Sequence, residues 1–217
     1  MEQLTITRLF PFEPENAASM AAYMKNQFPF CGVPSPERRR LEKPFLTASR
    51  QWALPELVAT AAAYYRQPER EYQYFAIDLA QHNLKRLTLG DLENWLPLLG
   101  EKQWWDSIDA WRKVYSDWCF LHPEQLTTVF GWLYGHEDFW YRRVGINLQL
   151  KFKAQTNQEI LAQGILADMA TDEFFIQKAI GWSLREYSKT NPTWVADFID
   201  THPALSKLAV REGSKYL

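Results

Sequence analysis

Gln103-Trp104-Trp105-Asp106-Ser107-Ile108-Asp109-Ala110-Trp111 is the stretch on which the fold turns. Wound as a helix at about 100° per residue, it divides into two faces. Trp104, Ile108, Trp111, Tyr115 and Trp118, with Val114 beside them, make one apolar stripe, the pattern of a helix packed in a core. Trp105 and Asp109 fall together with Arg112 and Ser116, roughly 110–150° from that stripe. A large aromatic beside a carboxylate on a polar flank has two readings. Trp105 packs on a neighbouring helix while Asp109 is solvated or caps, or the two face a ligand. The second reading follows because burying an indole is worth a few kcal/mol, which a Trp held off the core forgoes.

Helical period continues on both sides of this stretch, and no alternating strand pattern is found. Pro14 to Asn26 reads as a helix with proline in its first turn. A loop punctuated by Pro and Gly follows over Phe28–Pro36, with Ser35 as the expected N-cap of the next helix. That helix carries Arg38, Arg39 and Arg40, either a solvated face or a binding one. Further helices are expected at 54–66, 69–86, 89–99, 104–119, 123–134, 138–153, 156–170, 173–189, 192–201 and 204–212. Starts near Glu71, Trp104, Asp138 and Glu173 are 33, 34 and 35 residues apart, and aromatic residues recur at each. Helix pairs repeating at this interval predict an all-α solenoid. The small-and-aromatic pattern of tetratricopeptides is missing, so the repeat reads as HEAT-like. No linker interrupts it, and residues 1–217 are expected to form one domain with a concave face lined by in-phase helices.

Of 217 residues, 47% are hydrophobic and 23% charged, an ordinary globular balance. The 10 Trp, 13 Phe and 10 Tyr stand out. A net charge of −2 argues against a uniformly basic coat but leaves room for a local basic patch. Cys31 and Cys119 have no CxxC spacing, and Met1–Phe12 has no basic region followed by an apolar run. Both point to a cytoplasmic protein. No run approaches a membrane span. The four histidines do not cluster at metal-ligand spacing, and phosphate-loop and GxSxG motifs are absent, so neither metal nor cofactor is expected.

Two further helices carry candidate residues. In 173–189, Ile176, Ile180, Ser183, Leu184 and Tyr187 form the core stripe. Trp182 points about 150° away among Lys178, Arg185 and Lys189, with Phe175 nearby. Over 138–153, Arg143, Asn147 and Lys151 fall in one row between two apolar sides, whereas Arg142 falls with Gln149 and Lys153. Either arginine could hold a phosphate or form a surface salt bridge. Cations interleaved with aromatics suit a nucleic-acid backbone. A carboxylate among them is costly beside a polyanion, and it suits stabilisation of a developing sugar cation.

These residues meet a family. Tyr23-Met24-Lys25-Asn26-Gln27-Phe28-Pro29-Phe30 with Gly32 and Pro36-Glu37-Arg38-Arg39, then Trp104–Asp109, Trp140-Tyr141-Arg142-Arg143 with Gln149-Leu150-Lys151, and Phe174–Trp182 resemble, in order, the motifs of AlkD-type DNA glycosylases. That resemblance implies a fold of HEAT-like repeats and hydrolysis of the N-glycosidic bond of cationic N3- or N7-alkylated purines in duplex DNA. It implies roles for Trp105, Asp109, Trp182 and Tyr23, and for Arg143 with Arg142 as the near alternative. It also implies a monomer that grips the DNA backbone. Arg70, on an earlier helix, is expected to matter much less than Arg143 for binding and excision. The competing expectation is a non-catalytic solenoid binding DNA or a protein through the same face, which leaves Asp109 without a role.

Overall fold

The computed structural model describes residues 6–217; Met1–Thr5, at the head of the stretch read for a leader, lie outside them. The described residues form twelve α-helices and no strand, and none of these helices is long and apolar enough to cross a membrane. They gather into two compact units, one ending at Lys102 and the other spanning Gln103–Leu217.

The first unit holds α1 (Pro14–Tyr23), α2 (Ser35–Ser49), α3 (Leu54–Tyr65), α4 (Arg70–His82) and α5 (Leu89–Trp95). Helix α1 stops at Tyr23, short of the expected Asn26, because Lys25 and Asn26 take left-handed backbone at φ 55° and 56°. Ser35 is the first residue of α2 and Pro34 takes the capping place, one residue from the expectation. The loop before α2 turns at Gly32, whose φ is 92° and where a Cβ would lie 2.2 Å from the Glu13 carbonyl oxygen. The buried Glu71 carboxylate secures this loop by accepting the N–H groups of Cys31, Gly32 and Val33 at 2.9, 2.8 and 3.1 Å. Arg70, expected to matter less than Arg143 for DNA binding, has a packing role in the first unit. It is fully buried, its guanidinium lies 3.9 Å from the centre of the Phe28 ring, and it donates to the Lys102 carbonyl at 2.6 Å. The basic triplet also divides. Arg38 turns inward to Glu42 and to Asp78 at 2.7 Å, Arg40 pairs with Glu37, and Arg39 is exposed.

The second unit holds α6 (Trp105–Leu121), α7 (Leu126–Leu133), α8 (Phe139–Ile146), α9 (Gln158–Asp168), α10 (Phe174–Ser188), α11 (Pro192–Thr201) and α12 (Lys207–Gly213). Helix α6 packs on α8, α8 on α10 and α10 on α12. Helix α7 touches α6 and α8, α9 touches α8 and α10, and α11 touches α10. This is the order of stacked HEAT-like helix pairs, with the in-phase helices side by side as the repeat spacing predicts. The predicted stripes are the packed ones. Ile108, Trp111, Tyr115 and Trp118 are buried on α6, and Ile176, Ile180, Leu184 and Tyr187 join Ile165, Val195 and Ala209 in the core around α10. The closest approach is at Gly181, where a Cβ would stand 2.5 Å from the Glu212 side chain, so its absence lets α12 seat against α10.

Helix α8 is much shorter than the expected 138–153. Beyond Ile146 the chain makes three-residue turns, Leu148 N–H to Gly145 O and Leu150 N–H to Asn147 O at 3.2 and 3.1 Å. The buried Gln149 side chain then ties this segment to both backbone groups of Asn157. The row Arg143–Asn147–Lys151 is therefore broken. Asn147 is buried and accepts from Ser183 Oγ, while Lys151 is exposed past the helix end.

Candidate active site

Three in-phase helices bring the candidate residues together. Trp104, extended at φ −160°, precedes the first turn of α6, so Trp105 opens the helix and Asp109 lies one turn on. Helix α8 starts at the Asp138 cap, whose carboxylate accepts Trp140 N–H at 2.9 Å, and this places Arg143 mid-helix opposite Asp109. Helix α10 starts at the Glu173 cap, which accepts Phe175 N–H at 3.0 Å, and it delivers Phe174, Phe175, Lys178 and Trp182 along one flank. Trp104 packs behind them against Trp140 and Phe175, at centroid distances of 6.1 and 5.6 Å. Its partner Trp105 is left to the cleft. The cleft is about 270 Å³, lined by Trp105, Asp109, Arg143, Phe174, Phe175, Lys178 and Trp182. That is slightly under the ~300 Å³ at which small-molecule pockets begin.

Arg143 is the hub. It is 2% exposed, and each of its guanidinium nitrogens donates within the protein. Nε and Nη2 form a fork on Asp109, at 3.0 Å and at 2.8 and 3.0 Å, and Nη1 donates to the Phe175 carbonyl at 2.5 Å. The same cation lies 4.9 Å from the centre of the Trp182 ring, with Lys178 Nζ 5.7 Å from it. Burial lifts the Asp109 carboxyl above the ordinary carboxylate range, against the opposing pull of Arg143 and Arg112. Asp109 is thus a fixed carboxylate whose proton affinity is raised, set between aromatic walls and open to the cleft. Such a group can hold a water, take a proton or stabilise a neighbouring cation.

The other predicted residues divide. Arg142, the alternative to Arg143, stands outside the cleft lining. Its Nε donates to Asp168 at 2.9 and 3.1 Å, and Nη1 donates to the carbonyls of His136 and Glu137. It braces α8 to α9. Lys178 and Arg185 both pair with Glu212 of α12, each at 3.1 Å, so the two cations share one carboxylate and the trio keeps a net positive charge. Lys189 pairs with Glu186 and lies over the Tyr216 ring. Tyr23 ends α1 in the first unit, where it is 73% exposed. Sequence reasoning missed Phe174, 56% exposed on the cleft wall, and Glu212. Phe174 was readable as one of the aromatics at a repeat start. Glu212 had no local signal, standing 34 residues from Lys178. Among the described residues no three His, Cys, Asp or Glu side chains are grouped to hold a metal.

A family model described as "DNA alkylation repair enzyme" matches residues 12–217. Among solved structures, a predicted DNA alkylation repair enzyme from Enterococcus faecalis is 52% identical, with a TM-score of 0.94 over 97% of this chain and 99% of that one. No curated protein matches the chain.

Proposed function

The chain belongs to the DNA alkylation repair enzyme family, and from that premise we propose that it is a DNA glycosylase releasing cationic N3- and N7-alkylpurines, such as 3-methyladenine and 7-methylguanine, from duplex DNA. The observation that carries this reading is the Asp109 carboxylate, held by the Arg143 fork inside a cleft walled by Trp105, Trp182 and Phe175. An alkylated purine is already a cation. When its C1′–N bond breaks, the electron pair returns to the ring and the base leaves neutral, so no general acid is needed. What must be stabilised is the oxocarbenium ion at C1′. Asp109 supplies the opposite charge, and the indoles supply π faces to the cationic sugar. Water then adds to C1′ and gives up a proton, for which Asp109 is the nearest acceptor. Arg143 fixes the carboxylate, and the one N–H that Nη1 keeps beyond its bond to Phe175 is left for the phosphate beside the lesion. The protein acts as a monomer in the cytoplasm, without metal or cofactor.

One observation favours the non-catalytic reading, in which the same face merely binds DNA. The pair with Arg143 gives Asp109 a structural purpose of its own. Single-turnover base release decides between them. The glycosylase reading requires 7-methylguanine to be freed from methylated duplex and uracil, a poor neutral leaving group, to be retained. Binding of both duplexes without release of either base would establish the non-catalytic reading.

A further inference from the structure

Helix α6, which lends Trp105 and Asp109 to the cleft, carries a cation that the mechanism above leaves unused. Arg112 lies on α6 three residues beyond Asp109, on the helical flank that also carries Trp105, and it is half-buried. Its neighbours are charged but already committed. Asp109 is engaged by Arg143, and Asp117 pairs with Lys113. Among the described residues Arg112 forms no hydrogen bond to either carboxylate; they act on it through space, as does Arg143 with the opposite sign. The contrast with other arginines is direct. Carboxylate partners raise the guanidinium pKa of Arg38, Arg40 and Arg66, whereas burial depresses that of Arg112. A guanidinium taken from water without a bonded anion is left uncompensated, and an incoming anion would restore that loss.

We propose that Arg112 is a phosphate-gripping residue, which takes a DNA backbone phosphate next to the one at Arg143 and so holds the strand across Asp109. This rests on the glycosylase reading for its meaning, but not for its test. Arg143 spends all three nitrogens on Asp109 and Phe175, Lys178 and Arg185 share the single carboxylate of Glu212, and Lys189 pairs with Glu186. Of these cations, among the described residues, Arg112 is the one that bonds no carboxylate. It also offsets the repulsion between Asp109 and the phosphates, which the cleft must overcome before any base can be released.

The measurement is the salt dependence of affinity for unmodified duplex DNA, compared between the full chain, Arg112→Gln and Arg112→Lys. Each neutralised phosphate adds about 0.9 to the slope of log K against log salt. Arg112→Gln should lower the slope by about that amount and weaken binding about tenfold at low salt. Arg112→Lys, which keeps the charge, should retain the slope. On methylated duplex, Arg112→Gln should raise the half-saturating DNA concentration by a larger factor than it lowers the release rate at saturation. An unchanged slope in Arg112→Gln would overturn the proposal, as would a lost slope in Arg112→Lys. An active wild type with an unchanged Arg112→Gln slope sinks this proposal alone. A wild type that binds DNA but releases no base sinks the glycosylase reading alone.

Discussion

Arg38 and Arg143, one in each unit, are buried arginines that hold carboxylates, and they differ in what surrounds them. Arg38 bonds Glu42 and Asp78 beneath the Tyr74 ring, with Glu42 fully buried and one of its oxygens, Oε2, without a partner. Arg143 bonds Asp109 beside Trp182, but Asp109 opens on the cleft and its side chain is 25% exposed. The pairing chemistry is the same. Access differs, and so does the neighbouring cation, since Arg112 stands by Asp109 with no bonded partner. A buried ion pair is therefore not by itself a mark of function. Its exposure to an aromatic-walled space is the added feature on which the proposed function rests.

The comparison is broken most easily at Arg38. Arg38→Ala leaves the Glu42 carboxyl protonated and short of a partner in the core, and should cost about 1–3 kcal/mol in urea unfolding. Base release per folded molecule should be unchanged. Loss of release without loss of stability would mean that the first cluster also serves the reaction.

At the second pair the effect should move from stability to rate. Asp109→Asn should slow 7-methylguanine release about 10²–10³-fold, the usual size for removing a charge-stabilising group. DNA binding should hold or tighten, because a negative charge facing phosphates is gone and Arg143 is freed. Because the Asp109 carboxyl is raised, the wild-type rate should begin to fall with acidification above the ordinary carboxylate range, near pH 4. The residual Asp109→Asn rate should show no such fall. Wild-type and Asn proteins with matching pH profiles would remove Asp109 from the chemistry.

Trp182→Ala and Trp105→Ala sharpen the role of the walls. Each should slow release about tenfold, from the loss of a cation–π contact worth about 1–2 kcal/mol. Melting temperatures should stay close to wild type, since neither indole belongs to the core. A large fall in melting temperature would return these residues to packing.

The smallest effect lies at Glu42. Burial pushes its carboxyl to about 8, above the ordinary 4.5. The folded state thus holds the proton more tightly than the unfolded chain. That stabilisation is complete below about pH 4.5 and is lost as pH rises toward 8. Glu42→Gln should flatten this part of the stability–pH curve. A slope surviving the substitution would place its origin elsewhere.

Much of the second unit was legible because packing follows period. The stripes on α6 and α10, and the side-by-side order of in-phase helices, were readable from 3.6-residue spacing and from the 33–35-residue repeat. The meeting of Trp105, Asp109 and Trp182 followed from that order. What failed is tertiary. Arg142 and Arg143 are neighbours on a helix with two apolar sides, so the wheel could not tell cleft from brace. Lys151 was lost because side-chain bonds from Gln149 reward a turn where periodicity continued a helix. Arg70 reads as a surface residue in every local window, and its burial depends on Phe28, 42 positions earlier in the chain.

Gly181 has a consequence for how this sequence can vary. Any side chain there would push against Glu212, and Glu212 is the counter-ion of both Lys178 and Arg185. The hydrogen atom at position 181 thus couples the electrical balance of the cleft wall to the last helix of the chain. Drift at 181 and the place of Glu212 are not independent: the clash is with the Glu212 Cβ and the Ala209 carbonyl, so a side chain at 181 would push α12 away and draw the Glu212 carboxylate off the two cations beside Trp182. The Ile180-Gly181-Trp182 triplet therefore reports the seating of the C-terminal helix as much as the presence of an indole.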